Sequence, residues 1–183
     1  MSGKFNLVIG LGNPGPEYKK TYHNIGFLAT DFITTKSGFK KFSKSSTKKF
    51  EFLEVKNTII CRPLTFMNDS GQAVVLILKY FKIKPENILV IHDDSDLEIG
   101  KYKLVYDRGS AGHKGIISVI NHLKTKKIWR LRIGIRPKPN NNDTTPQKRI
   151  KAEKFVLKDI KPTDQKIFDH IFGEITEKVI GNE

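Results

Sequence analysis

The sequence predicts an α/β fold, a single compact domain over residues 1–183 with a twisted mixed sheet flanked by helices. Two observations carry that expectation. Short apolar runs of strand length, above all Leu7-Val8-Ile9 and Ile88-Leu89-Val90-Ile91, alternate along the chain with segments of helical periodicity. Two of the connections are glycine-rich, Gly10 to Gly15 and Gly109 to Gly115, as expected where a strand end meets a tight loop. At 183 residues with 38% hydrophobic content, the chain is long and apolar enough for one substantial core.

The elements follow in order. The first strand leads through the loop that holds Asn13 to a helix beginning near Asn24 and running to about Lys36. Ile25, Phe27, Leu28 and Phe32 would form its apolar side, and the Asn24 side-chain oxygen would cap its first turn. Residues from Lys36 to Lys49 are rich in Lys, Ser and Thr and read as a basic loop. Phe50, Phe52, Val55, Ile59 and Ile60 give two strands around a Lys56-Asn57 turn. Pro63 breaks that run, and a helix follows from about Asp69 to Phe81, with Val74, Leu78 and Phe81 inward and Asn68, Asp69 or Ser70 as its cap.

Ile88 to Ile91 is a buried strand ending in His92-Asp93-Asp94, and a polar elbow continues to Gly100. Lys101 to Tyr106 is another strand. The helix after the second glycine-rich turn buries Ile117, Ile120 and Leu123. Leu131, Ile133 and Ile135 alternate with Arg130, Arg132 and Gly134 as in a half-buried strand. Pro137 through Lys148 reads as loop, and Phe155-Val156-Leu157 as a short apolar element. Pro162 opens a final helix in which Ile167, Ile171, Ile175 and Val179 recur four apart.

Charge and composition narrow the function. Lys and Arg number 33 against 19 Asp and Glu, a net +14, which favours a nucleic-acid or other anionic partner. The single cysteine, Cys61, rules out an internal disulfide and points to a cytosolic setting; after Ile59-Ile60 it reads as a buried thiol. The first residues do not match a signal peptide, and no apolar run approaches a membrane span. Neither glycine loop carries Gly-Lys-Ser/Thr or a complete dinucleotide fingerprint, so nucleotide hydrolysis and dinucleotide redox fit poorly. The five histidines lack zinc-ligand spacing, and the acidic run from His92 to Asp96 reads as a structural elbow rather than a metal loop.

Candidate site residues stand at the ends of the apolar elements: Asn13, His23, Asn68 and Asp93. Histidine can take a proton near neutral pH, and an aspartate can orient it through its other ring nitrogen. Asparagine amides can donate to a carbonyl oxygen without adding charge, which suits an ester and its developing oxyanion. The alternatives are structural: a helix cap for Asn68, an Asx turn for Asn13, a core-edge position for His92. Lys101, Lys103, Lys114, Arg130 and Arg132 are candidates for phosphate contact, unless the two arginines merely occupy the wet face of their strand. Trp129 and Tyr102 either stack on a base or pack at the core boundary.

Several ordered motifs together resemble bacterial-type peptidyl-tRNA hydrolase. They are Gly10-Leu11-Gly12-Asn13-Pro14-Gly15 with Tyr18, Thr21 and His23-Asn24-Ile25-Gly26; Phe66-Met67-Asn68-Asp69-Ser70-Gly71; His92 to Leu97; Gly109 to Gly115; and Arg130 to Ile135. The resemblance runs from about Phe5 to the last helix. It implies a monomeric cytoplasmic enzyme that hydrolyses the ester between peptide and tRNA and so recycles the tRNA, with no metal, cofactor or obligate protein partner. His23 would activate water and Asp93 would orient His23. Asn13 and Asn68 would position the ester, and Tyr18, Phe66, Met67, His113 and Lys114 would complete the substrate-binding set. Lys103, with Arg130 or Arg132, would meet the RNA phosphate backbone. In two places the chain departs from the family pattern. Lys114 replaces an asparagine, a cation that only donates in place of an amide that also accepts. Asp107-Arg108 and Ser110-Ala111 stand where more glycine is usual.

Overall fold

The computed structural model describes residues 5–39, 41–137, 153 and 155–181. Among these residues, seven strands form one mixed sheet in the order β2-β3-β4-β1-β5-β7-β6. They are β1 (Leu7–Gly10), β2 (Ser43–Lys44), β3 (Phe50–Val55), β4 (Thr58–Pro63), β5 (Ile88–Glu98), β6 (Tyr102–Tyr106) and β7 (Trp129–Arg136). β1 pairs in parallel with β4 and β5, and β5 with β7, whereas the outer pairs are antiparallel. Leu7, Val8 and Ile9 are fully buried, which is why the central strands read as unbroken apolar runs rather than alternations.

The helices are α1 (Ile25–Lys36), α2 (Ser70–Phe81), α3 (Lys114–Leu123) and α4 (Pro162–Ile180). They cover both faces of the sheet. On one face, Ile25, Ala29 and Ile33 of α1 and Phe168, Ile171, Phe172, Ile175 and Val179 of α4 pack on Val8, Ile91 and Ile133. On the other, Val74, Ile77 and Leu78 of α2 and Ile116 and Val119 of α3 pack on Leu7, Ile9, Cys61 and Val90. The Cys61 thiol is buried, and burial pushes its pKa above the ordinary thiol value. Among the described residues, no helix is long and apolar enough to cross a membrane.

Several expectations are corrected. In α1 the innermost side chains are Ile25, Ala29 and Ile33, while Phe27, Leu28 and Phe32 are only partly buried. In α3 the buried residues are Gly115, Ile116, Ser118 and Val119, and Ile117 is exposed, a one-residue rotation of the expected face. The basic stretch after Lys36 contributes the two-residue edge strand β2. Strand β5 does not end in His92-Asp93-Asp94; it runs on through the expected polar elbow to Glu98, where β7 pairs with it again. Phe155 and Val156 are buried in a turn, and Leu157 is exposed. The loop expected from Pro137 through Lys148 lies outside the described residues beyond Pro137.

Gly26 decides how closely α1 crosses the sheet. A Cβ there would sit 2.4 Å from the Ile91 and Leu11 carbonyl oxygens, so only a hydrogen fits. Those neighbours are backbone atoms of β5 and of the loop after β1, which cannot rotate away. Gly26→Ala is therefore expected to lower the unfolding free energy by about 1–3 kcal/mol through overpacking. A urea titration would read this as a lower midpoint at unchanged slope; a wild-type midpoint would mean that α1 shifts without cost.

Candidate active site

The loop after β1, the turn before α1, the residues just before α2, the segment entering α3 and the middle of β5 surround a cleft of about 940 Å³. Asn13, His23, Phe66, Met67, Asn68, His92, Asp93, His113 and Lys114 all line it. Sequence order could not show that these groups converge. The parallel strands bring their ends to one edge of the sheet, where crevices in such folds form.

Asn13 is held from three directions. Its backbone N–H donates to Asn24 Oδ1 at 2.8 Å, and Asn24 Nδ2 donates back to the Asn13 carbonyl at 2.9 Å. The Asn13 side-chain oxygen accepts the Met67 N–H at 2.8 Å. With Oδ1 committed, the amide orientation is fixed and Nδ2 is the group left for a ligand, since no described residue accepts from it. Asn24 therefore does not cap α1 with its side chain, as expected from its position; it closes the opening loop instead.

His23 enters on a single 3-10 turn, Tyr22–Asn24, just before α1, and its backbone N–H donates to the Val156 carbonyl at 2.8 Å. Its Nδ1 lies 2.9 Å from Asp93 Oδ1. His113 Nε2 lies 2.8 Å from that same oxygen, and the two rings are 5.0 Å apart. His113 Nδ1 accepts the Ile116 N–H at 3.2 Å as the N-cap of α3, so its proton resides on Nε2 and is donated to Asp93. With Asp93 ionised, His23 donates from Nδ1 and keeps its Nε2 lone pair for a proton. Burial by itself disfavours the Asp93 carboxylate. The charges and hydrogen bonds of His113 and His23 outweigh that and hold its pKa well below the ordinary carboxylate range.

One ligand atom from each of His23, Asp93 and His113 lies within 4.8 Å of the others, a spacing that could hold a cation. The hydrogen bonds argue otherwise. A metal on His113 Nε2 would require the proton on Nδ1, and Nδ1 is occupied as an acceptor.

The remaining predicted residues fall in several places. Met67 is buried on the cleft wall, and Phe66 is 53% exposed at its lip. Tyr18 is not on the cleft wall; it stands behind Phe66 in an edge-to-face contact at 6.2 Å. Asn68 is exposed, caps nothing with its side chain, and donates from Nδ2 to Asp69 Oδ2 at 3.2 Å. Lys114 opens α3, largely exposed, and its Nζ lies 3.3 Å from Glu153 Oε1. Lys103 is exposed on β6, in register with Arg132 on β7. Arg132 is bound to Asp94. Arg130, expected either at a phosphate or on the wet face, is 1% exposed and out of reach of an RNA backbone. The sequence reading missed the His113–Asp93 bond; the one available signal was the position of His113 immediately before a helix.

The model of the peptidyl-tRNA hydrolase family matches residues 7–181. The chain belongs to the peptidyl-tRNA hydrolase family. Membership makes it a hydrolase. The peptidyl-tRNA hydrolase of Lactobacillus johnsonii is 40% identical over 180 residues, covering 96% of this chain and 91% of that protein. That of Metamycoplasma arthritidis is 39% identical over 176 residues, covering 95% and 89%. The crystal structure of peptidyl-tRNA hydrolase from Acinetobacter baumannii superposes with a TM-score of 0.78 at 29% identity, covering 97% of this chain and 87% of that one. The mixed sheet with helices on both faces is thus the architecture this chain shares with its family.

His92, also in the cleft wall, is 2% exposed, and its Nδ1 donates to the Asp93 carbonyl at 2.6 Å. Burial lowers its pKa well below the usual 6.5, and repulsion from His113 and Arg130 adds to this. As pH falls through the ordinary histidine range, the unfolded chain gains a proton that folded His92 refuses, so stability drops. Wild type is expected to lose stability relative to His92→Gln as urea midpoints are followed downward in pH; parallel curves would refute the buried neutral state.

Proposed function

We propose that this chain hydrolyses the ester joining a peptide to tRNA, with a water molecule activated by His23 as the attacking group. The observation that carries the reading is the shared Asp93 oxygen. It fixes His23 with Nδ1 as donor and Nε2 as base, beside an Asn13 amide whose donor end is free.

In this reading the cleft holds the ester carbonyl against Asn13 Nδ2, with Asn68, the neighbour of the Met67 that Asn13 binds, also lining it. His23 Nε2 takes a proton from water as the water oxygen bonds to the carbonyl carbon. The negative charge that develops on the carbonyl oxygen is met by Asn13 Nδ2, already oriented by the Met67 N–H on its oxygen, and by Asn68 once it turns from Asp69. Asp93, ionised and buried, stabilises the imidazolium. Collapse of the tetrahedral species breaks the bond to the tRNA sugar oxygen, which receives a proton from His23 or from solvent. Phe66 and Met67 provide apolar surface on the peptide side, with Tyr18 supporting Phe66 from behind. His113 serves both as cleft wall and as the second donor to Asp93. Lys103 and Arg132 would meet the RNA phosphate backbone, and Lys114 would meet substrate at the cleft mouth. Every group in this scheme comes from one chain, so the reaction asks for no second copy, and the reading places it in the cytoplasm with its substrate.

General acid–base assistance contributes on the order of 10²–10⁴ in rate. His23→Ala is expected to slow peptide release from purified peptidyl-tRNA by that order while leaving the thermal midpoint near wild type. A folded variant with normal turnover would remove His23 from this role. Lys103→Ala should instead weaken binding and reduce the salt dependence of log K by about one charge, with turnover at saturation preserved. An unchanged salt slope would place the phosphate contact elsewhere.

A further inference from the structure

Arg130 is among the largest fully buried side chains, a cation on β7 with no carboxylate ion pair among the described residues. The nearby Asp94 is held by Arg132. Arg130 Nη2 donates to the carbonyl oxygens of Arg108 at 3.0 Å and Gly109 at 2.8 Å. Its Nε and Nη1 are buried without a hydrogen-bond partner among the described residues. Burial pulls its pKa down to about 10, so the cation persists. Even a buried ion pair can often be replaced by apolar side chains without loss of stability, and Arg130 has less compensation than such a pair. Simple stability is therefore a weak account of its presence.

What Arg130 does hold is the loop that delivers His113. After Gly109 the chain turns through Ser110, whose carbonyl accepts the His113 N–H at 3.1 Å, and His113 then caps α3 and donates to Asp93. Register pairing places Val90 beside Arg130 and His92 beside Arg132, so His92 and Arg130 share one face of the sheet. The His92 ring meets His113 edge-on at 4.7 Å. His113 is thus seated from two sides, by a ring beneath it and by a tethered loop before it.

We propose that Arg130 is a positioning residue: by holding the Arg108 and Gly109 carbonyls it seats His113 on Asp93, and through the shared oxygen it sets the geometry of His23. This rests on the proposed hydrolysis. The test is a cycle of wild type, Arg130→Lys, His113→Ala and the double variant, with kcat, KM and pH profile measured for peptide release from peptidyl-tRNA, and with imidazole ¹⁵N spectra. Lysine keeps the charge but loses the two-carbonyl fork. Arg130→Lys is expected to lower kcat about tenfold or more by misplacement, with KM within about twofold, and to move the acid limb of the profile. In the His113→Ala background the same change should cost almost nothing.

An equal loss in both backgrounds, or an unchanged pH profile, would overturn the proposal. So would a raised KM with a shallower salt slope, which would mean a direct RNA contact. If wild type releases no peptide, the hydrolysis reading fails on that result alone. The ¹⁵N spectra then decide Arg130: loss of the His113 Nε2–H tautomer in Arg130→Lys supports positioning, and retention refutes it.

Discussion

One carboxylate oxygen, Asp93 Oδ1, accepts from two imidazoles whose chain positions are 70 and 20 residues away. An ionised oxygen has lone pairs for both donors, and the pair of N–H groups compensates the cost of burying the charge. The arrangement works only if three segments meet within a few ångströms of each other: the middle of β5, the turn before α1 and the N-cap of α3. Pairing of Asp93 with Ile133 on β7 keeps the carboxylate on a rigid strand rather than on a loop. The tautomers of both histidines then follow from hydrogen-bond accounting.

The opening loop is organised on a similar principle. Asn13 and Asn24 exchange two hydrogen bonds, which closes the loop without any help from the helix cap. Gly26 lets α1 lie against the backbone of β5 and the loop after β1, bringing His23 down onto Asp93. On the far side, Gly71 lies so close to Ser118 that a Cβ would sit 2.2 Å from its carbonyl, which locks α2 to α3. The Asn13–Met67 bond joins the opening loop to the residues just before α2. The geometry of the cleft is supported by close backbone packing more than by long side chains.

A net charge of +14 says little about where the cations work. Arg132 is committed to Asp94, and Lys114 shares the cleft mouth with Glu153. Arg130 is inside the protein, turned toward backbone carbonyls. Lys103 on the edge strand is exposed and has no ion-pair partner among the described residues. Bulk charge can favour encounter with RNA, but the contact itself is a matter of which guanidinium or ammonium remains free.

The sequence by itself determined the α/β class, the central buried strands and the helix positions, because periodicity is a local property. Asn13, His23, Met67, Asn68, Asp93, His113 and Lys114 were legible as cleft residues through the motifs they occupy. The inward faces of α1 and α3 were not, since small residues such as Ala29 and Gly115 face the sheet while bulkier Phe27 and Ile117 turn outward. The extension of β5 beyond Asp94 to Glu98 was hidden because a polar run pairs as well as an apolar one once β7 lies alongside. Tertiary structure alone decided that Arg130 is buried, that Tyr18 stands behind Phe66, and that His23 and His113 share one oxygen. Each depends on contacts between residues far apart in the chain, which no local pattern encodes.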